Sequence, residues 1–337
     1  SAAPARLIIE LSRDDLELGG SLVVVMGSLG NDAQVMGADC NQWRSRLREH
    51  GQDPVVIVGG GFGGLAAAQA LRRMRGDVVL IDRVNHHLFQ PLLYQVATAA
   101  LSPADIAWPL RTLLRDQKNV RIMLDEVQAI DRAARRVELR NGEPVSYGCV
   151  ILAPGARHSY FGHGRWEEDA PGLKTLPDAL EIRERMLMAF EKAERLKGTE
   201  EARDQLTFVI VGGGPTGVEL AGALAEIGRK AMGPDYPHLR TEDLSIILVE
   251  AGPRILPGFD PTLSAKAAGA LTHMGVTIKL NSPVTAVTPT GVMIGAEWIP
   301  STQSIWAAGN RASPLLNTLS AAQDSAGRIR VQPDLTI

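Results

Sequence analysis

From residue 53 onwards, short apolar runs rich in β-branched residues alternate with longer runs rich in alanine and leucine. Residues 55–58 (VVIV) form the first apolar run, and a glycine-rich turn follows at 59–64. The stretch 65–74 is rich in alanine and leucine, and residues 78–81 (VVLI) are apolar again. This order predicts a strand, a tight turn, a helix and a second strand, which together make a βαβ unit.

The same order of patterns returns in the second half of the chain. An apolar run at 208–211 (FVIV) precedes a glycine-rich turn at 212–217. A helical pattern follows at 218–230 and an apolar run at 245–249. The distance between the two copies is far longer than the roughly 20–50 residues of a solenoid repeat. The chain is therefore predicted to contain one domain type twice.

Other patterns predict the elements between and after the two copies. Ser102-Pro103-Ala104-Asp105 supplies an N-cap residue, a proline at the first helical position and an acid at the third, so we expect a helix from here to about Asp116. The Asn141-Gly142 pair predicts a hairpin. Apolar and amphipathic patterns further predict strands at 147–153 and 303–307 and helices at 177–196 and 261–273.

Length and composition narrow the class of protein. A chain of 337 residues favours about two domains. The formal net charge of -3 gives no sign of a nucleic-acid partner, which would need a basic surplus. The only cysteines, Cys40 and Cys149, exclude a disulfide scaffold, a four-cysteine metal site and a CxxC redox pair, and they fit a reducing compartment such as the cytoplasm. Residues 1–52 contain neither a membrane span nor a secretory signal and stay unassigned.

The first glycine turn has the spacing of a dinucleotide-binding motif. In this motif Gly59 permits the tight turn, Gly61 lets the backbone approach a pyrophosphate, and Gly64 lets the helix lie close to the strand. The helix N-terminus adds donors and partial positive charge for the phosphates. Asp82, at the end of the next strand, can accept hydrogen bonds from a ribose hydroxyl. A lone motif of this kind also occurs in structural turns, but the complete strand–helix–strand context favours a nucleotide site.

The second glycine turn repeats this chemistry with Gly212, Gly214, Gly217 and Glu250. An acid at this strand end repels the 2′-phosphate of NADPH, so the pattern favours NADH. Arg254 lies close by in sequence and keeps NADPH open as the alternative. Two dinucleotide folds imply two dinucleotides, and a flavin with a nicotinamide is the pair between which hydride can pass.

Several longer stretches make a resemblance specific. Over a span from about Pro54 to its last residue, the chain resembles the type II NADH dehydrogenases, which are single-subunit, non-pumping, FAD-dependent NADH:quinone oxidoreductases. The stretches that carry the resemblance are NHHLFQPLLYQVA at 85–97, GGGPTGVELAG at 212–222, VEAGPRILP at 249–257 and WAAG at 306–309. The first of these is far more specific than either glycine motif.

The resemblance implies an α/β fold of two Rossmann-like dinucleotide-binding domains, as in glutathione reductase, with an NADH domain inserted into an FAD domain. The boundaries it implies are 53–165 and 301–337 for the FAD domain, the latter part incomplete, and 166–300 for the NADH domain. The implied FAD-binding residues are Gly59, Gly61, Phe62, Gly63, Gly64, Asp82, Arg83, Ala153, Pro154 and Gly155. The implied NADH-binding residues are Gly212, Gly213, Gly214, Pro215, Thr216, Gly217 and Glu250, with Ala308 and Gly309 near nicotinamide and flavin.

Glu219 is the residue to which the resemblance assigns chemistry. The matching glutamate of the family lies near the flavin, the nicotinamide and the quinone, so Glu219 could assist proton delivery. A buried carboxylate there would have a raised pKa suited to proton transfer. The alternative is an acid placed favourably near a helix N-terminus. The implied reaction passes hydride from NADH to FAD and then two electrons to a membrane quinone of the respiratory chain, without proton pumping.

The resemblance also implies a setting for the protein and leaves alternatives open. The full-length protein is expected to be peripheral on the cytoplasmic face of the inner membrane, with a homodimer open as its assembly. Because the family's Gly-Asp segment is missing, we expect this chain to be soluble or aggregated and largely free of flavin. The alternatives are a soluble NAD(P)H:acceptor flavoprotein reductase and a non-catalytic nucleotide-binding fragment. A metal site is not expected, since His86 and His87 are adjacent and no spaced histidine pair occurs.

Overall fold

The computed structural model describes residues 23–25, 53–231, 234–332 and 335–337, so the unassigned segment 1–52 lies outside it apart from one short strand. The α-helices are α1 (Phe62–Ala70), α2 (Leu93–Ala97), α3 (Pro103–Ile106), α4 (Leu110–Leu113), α5 (Trp166–Asp169), α6 (Leu176–Arg195), α7 (Glu200–Gln205), α8 (Pro215–Ala231) and α9 (Pro261–His273). Short 3-10 helices are formed by Leu71–Arg73, Gln90–Leu92, Thr241–Asp243 and Pro314–Leu319.

The strands fall into parallel and antiparallel groups. In chain order they are β1 (Val23–Val25), β2 (Val55–Val58), β3 (Val78–Asp82), β4 (His86–Leu88), β5 (Ala107–Pro109), β6 (Val120–Leu124), β7 (Val127–Asp131), β8 (Arg136–Leu139), β9 (Val145–Ser146), β10 (Cys149–Leu152), β11 (Ala156–His158), β12 (Thr207–Val211), β13 (Ser245–Val249), β14 (Val276–Lys279), β15 (Val284–Thr288), β16 (Gly291–Ile294), β17 (Glu297–Pro300), β18 (Gln303–Trp306) and β19 (Asn310–Ala312).

The chain divides into two compact units. The described residues of Ser1–Leu88, Ala107–Arg157 and Asn310–Ile337 form the first unit, and Phe89–Ile106 with His158–Gly309 form the second. The boundaries that the resemblance implies, 165/166 and 300/301, differ from the boundaries of these packing units. The assignment of domains to FAD and NADH stays a prediction at this point.

The first unit is built on a parallel sheet with the strand order β1-β10-β2-β3-β6. Its central strands β10, β2 and β3 are apolar at every position up to the terminal Asp82 of β3, because both faces are covered. One face packs against α1 through side chains that include Val55, Ile57 and Leu80. The other face packs against the antiparallel sheet β7-β8-β9 and the turn at 314–319 through side chains that include Val56 and Val79. The glycine turn therefore projects from a rigid strand end.

The second unit repeats this plan with the parallel order β14-β13-β12-β18. One face of its sheet packs on the antiparallel sheet β15-β16-β17 through Val209, Val211 and Trp306. Helices α6 and α8 contact the strands of the sheet as well. Among the described residues, no helix is both long and apolar enough to cross a bilayer.

Most predicted elements are confirmed, and one is wrong. The helix expected from Ser102 to Asp116 is broken: α3 is followed by strand β5, which pairs with β4, and then by α4. Pro109 explains the break, because a proline disfavours the helical conformation of the residue before it and donates no backbone hydrogen bond. The predicted start of that helix is confirmed, since the Ser102 N–H donates to Asp105 Oδ2 at 2.9 Å.

The end of the first glycine helix also differs from the prediction. Helix α1 begins inside the glycine turn and ends at Ala70, where 65–74 was expected, and a 3-10 turn continues it to Arg73. The Asn119 side chain donates to the carbonyls of Leu71 and Met74 at 3.1 and 3.3 Å. This long-range cap satisfies carbonyls that a further helical turn would otherwise have bonded.

Candidate functional site

The first glycine turn is closed so tightly that only glycine fits at two of its positions. Gly59 has φ +101°, and a Cβ atom there would lie 2.2 Å from the Ala153 carbonyl oxygen. A Cβ at Gly64 would lie 1.7 Å from the Gly59 carbonyl oxygen. The Gly59 N–H donates to the Ile81 carbonyl at 2.8 Å. The first and third glycines therefore pack backbone on backbone, as the motif predicts.

The middle glycine of this turn has a different environment. Gly61 is exposed, and a Cβ atom there would meet no atom within 4 Å. It is the N-cap residue of α1 and is in an extended conformation. A side chain at this position would fill open space in front of the helix N-terminus rather than clash with protein. This is the room that a pyrophosphate needs to approach the helix.

Asp82 closes the first turn through its side chain, a role that sequence reasoning missed. Its Oδ2 accepts from the Gly60 N–H at 2.5 Å, and its Oδ1 accepts from the Val84 N–H at 2.9 Å. Each carboxylate oxygen has a further lone pair, so these bonds leave acceptor capacity for a ribose hydroxyl. Asp82 therefore orders the backbone at the place where the ribose is predicted to bind.

The second glycine turn repeats the first in detail. Gly212 has φ +113°, and a Cβ at Gly217 would lie 1.9 Å from the Gly212 carbonyl oxygen. A Cβ at Gly214 would again meet no atom within 4 Å. Glu250 accepts from the N–H groups of Gly213 and Gly252, at 2.7 Å in each case. The acid that was predicted to face the ribose also closes this turn.

A third segment of the repeat lies at the end of the strand on the far side of each turn. The Ala153 N–H donates to the Val58 carbonyl, and the Ala307 N–H donates to the Val211 carbonyl, both at 2.8 Å. The glycines that follow have nearly the same conformation, with φ +69° at Gly155 and φ +72° at Gly309. The matching sequences LAPG and WAAG were a signal for this part of the repeat.

The predicted binding residues segregate by unit. Every residue assigned to FAD lies in the first unit, and every residue assigned to NADH lies in the second. Gly63 belongs to the first turn of α1, and Pro215 and Thr216 begin α8. Arg83 is exposed beside Asp82, and the half-exposed Phe62 ring packs edge-on against His87 at 5.0 Å. Pro154 follows Ala153 in the first unit as Ala308 follows Ala307 in the second.

Glu219 lies on α8, at the wall of a cavity of about 760 Å³ in the second unit. Its side chain is exposed, so the expectation of a buried carboxylate is wrong. The cavity walls nevertheless remove part of the water around the carboxyl group, and this partial burial raises the pKa of Glu219. The lining combines aromatic and sulfur-containing side chains with acids: Tyr94, Met186, Phe190, Glu219, Glu226, Tyr236 and Met274.

Cys149 is a buried residue of the first unit. It begins strand β10 of the parallel sheet, and 3% of its surface is exposed. Burial raises the pKa of its thiol to about 12, so a reactive thiolate does not form near neutral pH. Among the described residues, no group of three His, Cys, Asp or Glu side chains could hold a metal ion.

Two parallel α/β units, each with a glycine turn closed by an acid from the neighbouring strand, define a protein with two Rossmann-like dinucleotide-binding units. This confirms the predicted fold class. The chain belongs to the pyridine nucleotide-disulphide oxidoreductase family, whose model matches residues 53–337.

Individual relatives place the chain more closely within this family. It is 45% identical over 300 residues to the type II NADH:quinone oxidoreductase NdhA of Mycobacterium tuberculosis, which covers 85% of this chain and 64% of that protein. It is 43% identical over 295 residues to Ndh of the same organism, covering 84% of this chain and 64% of the relative. The chain thus spans less than two thirds of the length of either relative.

Solved structures agree on the fold. The structure of NDH2 from Plasmodium falciparum in complex with NADH superimposes with a TM-score of 0.73 at 24% identity, covering 79% of this chain and 57% of that one. The resemblance to type II NADH dehydrogenases is confirmed by these comparisons.

Proposed function

We propose that this chain carries the nucleotide-binding part of an FAD-dependent NADH:quinone oxidoreductase. The observation that carries the proposal is the duplicated turn, in which Asp82 bonds Gly60 and Glu250 bonds Gly213. Two sites built alike, one in each unit, suit two dinucleotides. The names of the Mycobacterium tuberculosis relatives support NADH and quinone as the reactants.

The first unit is proposed to hold FAD and the second NADH. When bound, FAD supplies the hydride and electron chemistry between NADH and a quinone. The protein contributes placement: the open positions Gly61 and Gly214 admit a pyrophosphate to a helix N-terminus in each unit. Asp82 and Glu250 hold the turns closed and retain lone pairs for a ribose hydroxyl.

Glu250 also supports the choice of NADH over NADPH. Its two oxygens are held beside Gly213 and Gly252, so its negative charge is fixed at the strand end where a 2′-phosphate would lie. The guanidinium of Arg254 donates to the Pro257 carbonyl at 2.6 Å and is thereby engaged locally. The fixed acid, rather than the arginine, is proposed to decide the preference.

Glu219 is proposed to handle a proton in the quinone half of the reaction. It contacts solvent and lines a cavity whose lining combines acids with apolar side chains such as Leu187 and Met274, and the apolar part suits a lipophilic acceptor. A carboxyl group with a raised pKa holds its proton to a higher pH and can donate it when the quinone is reduced. The full-length protein is proposed to work as a peripheral protein on the cytoplasmic face of the inner membrane, with a homodimer as the assembly to test by light scattering.

Acceptor kinetics test the proposal. The purified chain, supplied with FAD, is mixed with NADH and either a water-soluble quinone or ferricyanide. Reduction of the quinone supports the proposed function. Reduction of ferricyanide alone favours the soluble flavoprotein reductase, and nucleotide binding without any reduction favours a non-catalytic fragment.

A further inference from the structure

A short segment at 159–163 lies against the end of strand β18 in the second unit. The indole N–H of Trp306 donates to the Ser159 carbonyl at 2.9 Å. The Ser159 N–H donates in turn to the Gly309 carbonyl at 3.3 Å. These bonds fix the segment beside Ala308, whose backbone would lie 2.7 Å from a Cβ atom at Gly212. The segment therefore borders the second glycine turn on its β18 side.

Phe161, within this segment, combines a left-handed backbone conformation with an exposed aromatic ring. Its φ is +49°, in a region that bulky residues rarely adopt. The residue is 67% exposed, so burial does little to offset the backbone strain; local contacts come from its N–H, which donates to Ser159 Oγ at 3.4 Å, and from the Trp306 ring at 6.4 Å. Its ring packs on Gly309 so closely that a Cβ atom there would lie 2.6 Å from the ring. Strained residues of this kind concentrate at ligand sites.

The strand order gives the direction in which a dinucleotide would cross the second unit. β12 carries the glycine turn, with β13 on one side and β18 on the other. Glu250, at the end of β13, marks the adenosine half, and the pyrophosphate lies at the turn. The nicotinamide half then extends over the end of β18, where Ala308, Gly309 and Phe161 are found. An exposed aromatic ring at that position offers a flat surface to the nicotinamide nucleotide.

We propose that Phe161 is a positioning residue that packs against the nicotinamide half of the dinucleotide bound to the second unit. The inference rests on the proposed function, because it takes the dinucleotide in that unit to be a nicotinamide nucleotide. The strained backbone of Phe161 then holds the ring at the rim of the site before the ligand binds. Gly309 is then glycine because its own left-handed backbone and the ring above it exclude a side chain.

Two ligands that differ only at the predicted contact test the inference. ADP-ribose lacks the nicotinamide, and 1,4,5,6-tetrahydro-NAD carries a reduced ring that cannot transfer hydride. Binding of each is measured by calorimetry to the wild type and to Phe161→Asn, since asparagine tolerates a positive φ. Phe161→Asn should weaken tetrahydro-NAD about three- to tenfold, the range of an aromatic contact, and leave ADP-ribose unchanged.

Matched variants separate a contact from a general loss of structure. Phe161→Tyr should bind both ligands like the wild type, because it retains the ring. Met188→Ala, which removes another exposed apolar side chain of the second unit, should change neither. Phe161→Gly removes the ring and adopts a positive φ without strain, so it replaces the asparagine variant in the experiment if that variant is unstable. Equal weakening of both ligands, or no weakening, in the Asn and Gly variants would overturn the role of Phe161. Failure of the wild type to bind either ligand would instead overturn the proposed nucleotide site.

Discussion

At the scale of single residues, the acids at the strand ends have two tasks. From their positions, Asp82 and Glu250 were predicted to accept hydrogen bonds from a ribose. Each carboxylate also accepts a backbone N–H of its glycine turn and so holds the turn closed. A side chain that already accepts two backbone N–H groups is held in one orientation before a nucleotide arrives. Preorganisation of this kind improves affinity because less freedom is lost on binding.

The double task of Glu250 changes what its substitution should do. We expect the wild type to prefer NADH, and Glu250→Gln to raise the ratio of kcat/KM for NADPH to that for NADH. The amide should also lower kcat/KM for NADH several-fold, because its NH₂ group cannot accept from Gly213 or Gly252 as a carboxylate oxygen does. Steady-state kinetics with both nucleotides measure this, with the exposed Glu242→Gln as a control. A wild-type preference for NADPH would contradict the assignment.

The raised pKa of Glu219 gives a pH dependence with a definite sign. The group is protonated below its raised pKa and loses the proton as the pH rises through it. Quinone reduction by reduced enzyme should therefore slow as the pH rises through this pKa, and Glu219→Gln should hold it at the slow rate of the deprotonated wild type at every pH and so abolish that dependence. Flavin reduction by NADH should remain intact. Stopped-flow measurement of the two half-reactions decides, and unchanged rates in both would reduce Glu219 to a charge near a helix end.

Glu226 provides the matched control for this experiment. It is exposed, lies on the same helix and lines the same cavity as Glu219. If proton transfer depends on Glu219 itself, Glu226→Gln should keep the alkaline decline of quinone reduction. Equal effects of the two substitutions would point to the general charge of the cavity instead.

At the scale of elements, the sequence pattern predicted those helices, strands and turns whose conformation depends on neighbouring residues. The glycine turns, the helix at 261–273 and the strand at 245–249 were all predicted from neighbouring residues. The expected helix across Pro109 failed at a proline that is visible in the sequence, but its replacement by a strand could not be predicted, because β5 pairs with β4, about 20 positions earlier. The cap that Asn119 places on Leu71 and the contact of Gly59 with Ala153 are of the same kind. Contacts between residues that are distant in sequence could not be predicted, because they form only when the sheet places those residues side by side.

The start of α6 carries a capping network with a measurable contribution to stability. Asp178 Oδ2 accepts from the backbone N–H groups of Lys174 and Thr175, both at 2.9 Å, and Oδ1 accepts from the Thr175 hydroxyl at 2.7 Å. Burial alone would raise the pKa of Asp178, but the nearby His158 ring, whose Nε2 lies 3.6 Å from Oδ2, and the bonds from the Thr175 side chain and these N–H groups outweigh it. They hold the pKa at about 2, below its ordinary 3.8.

The sign of this shift predicts acid sensitivity. Because the folded pKa lies below the unfolded one, the ionised cap stabilises fully above pH 3.8 and the stabilisation is lost as the pH falls towards 2. Because the carboxylate is only partly buried, solvent screening reduces this stabilisation to about 1–2 kcal/mol. Asp178→Asn should lower the free energy of unfolding by about 1–2 kcal/mol at pH 7 and by less at pH 2. Urea unfolding at both pH values measures this, with the exposed Glu201→Gln as control. A loss that is equal at the two pH values would show that the charge contributes nothing.

At the scale of the whole molecule, the two units have separate cores and separate turns. We therefore expect their nucleotide sites to be lost independently. Gly64→Ala would place a Cβ atom 1.7 Å from the Gly59 carbonyl oxygen, and Gly217→Ala would place one 1.9 Å from that of Gly212. The first substitution should weaken FAD binding at least about tenfold and leave ADP-ribose binding unchanged, and the second should do the reverse.

Flavin fluorescence and calorimetry with ADP-ribose read out the two sites of these variants. Gly269→Ala, at a helical position where a Cβ atom meets no neighbour within 4 Å, is the control for glycine replacement itself. Loss of both ligands in either single variant would show that the units do not fold independently.

The two copies differ in the number of residues between the glycine turn and the acid that closes it. The bonded pair Gly60 and Asp82 is separated by 22 positions, whereas Gly213 and Glu250 are separated by 37. Most of the extra length lies between α8 and β13 and most of the rest lies in the longer helix α8, both away from the turn, and the bond that closes the turn is retained. The connection between helix and acid-bearing strand is thus a natural insertion point. A fluorescent tag or a sensor peptide placed between Arg75 and Asp77 should report on the first unit without disturbing its nucleotide.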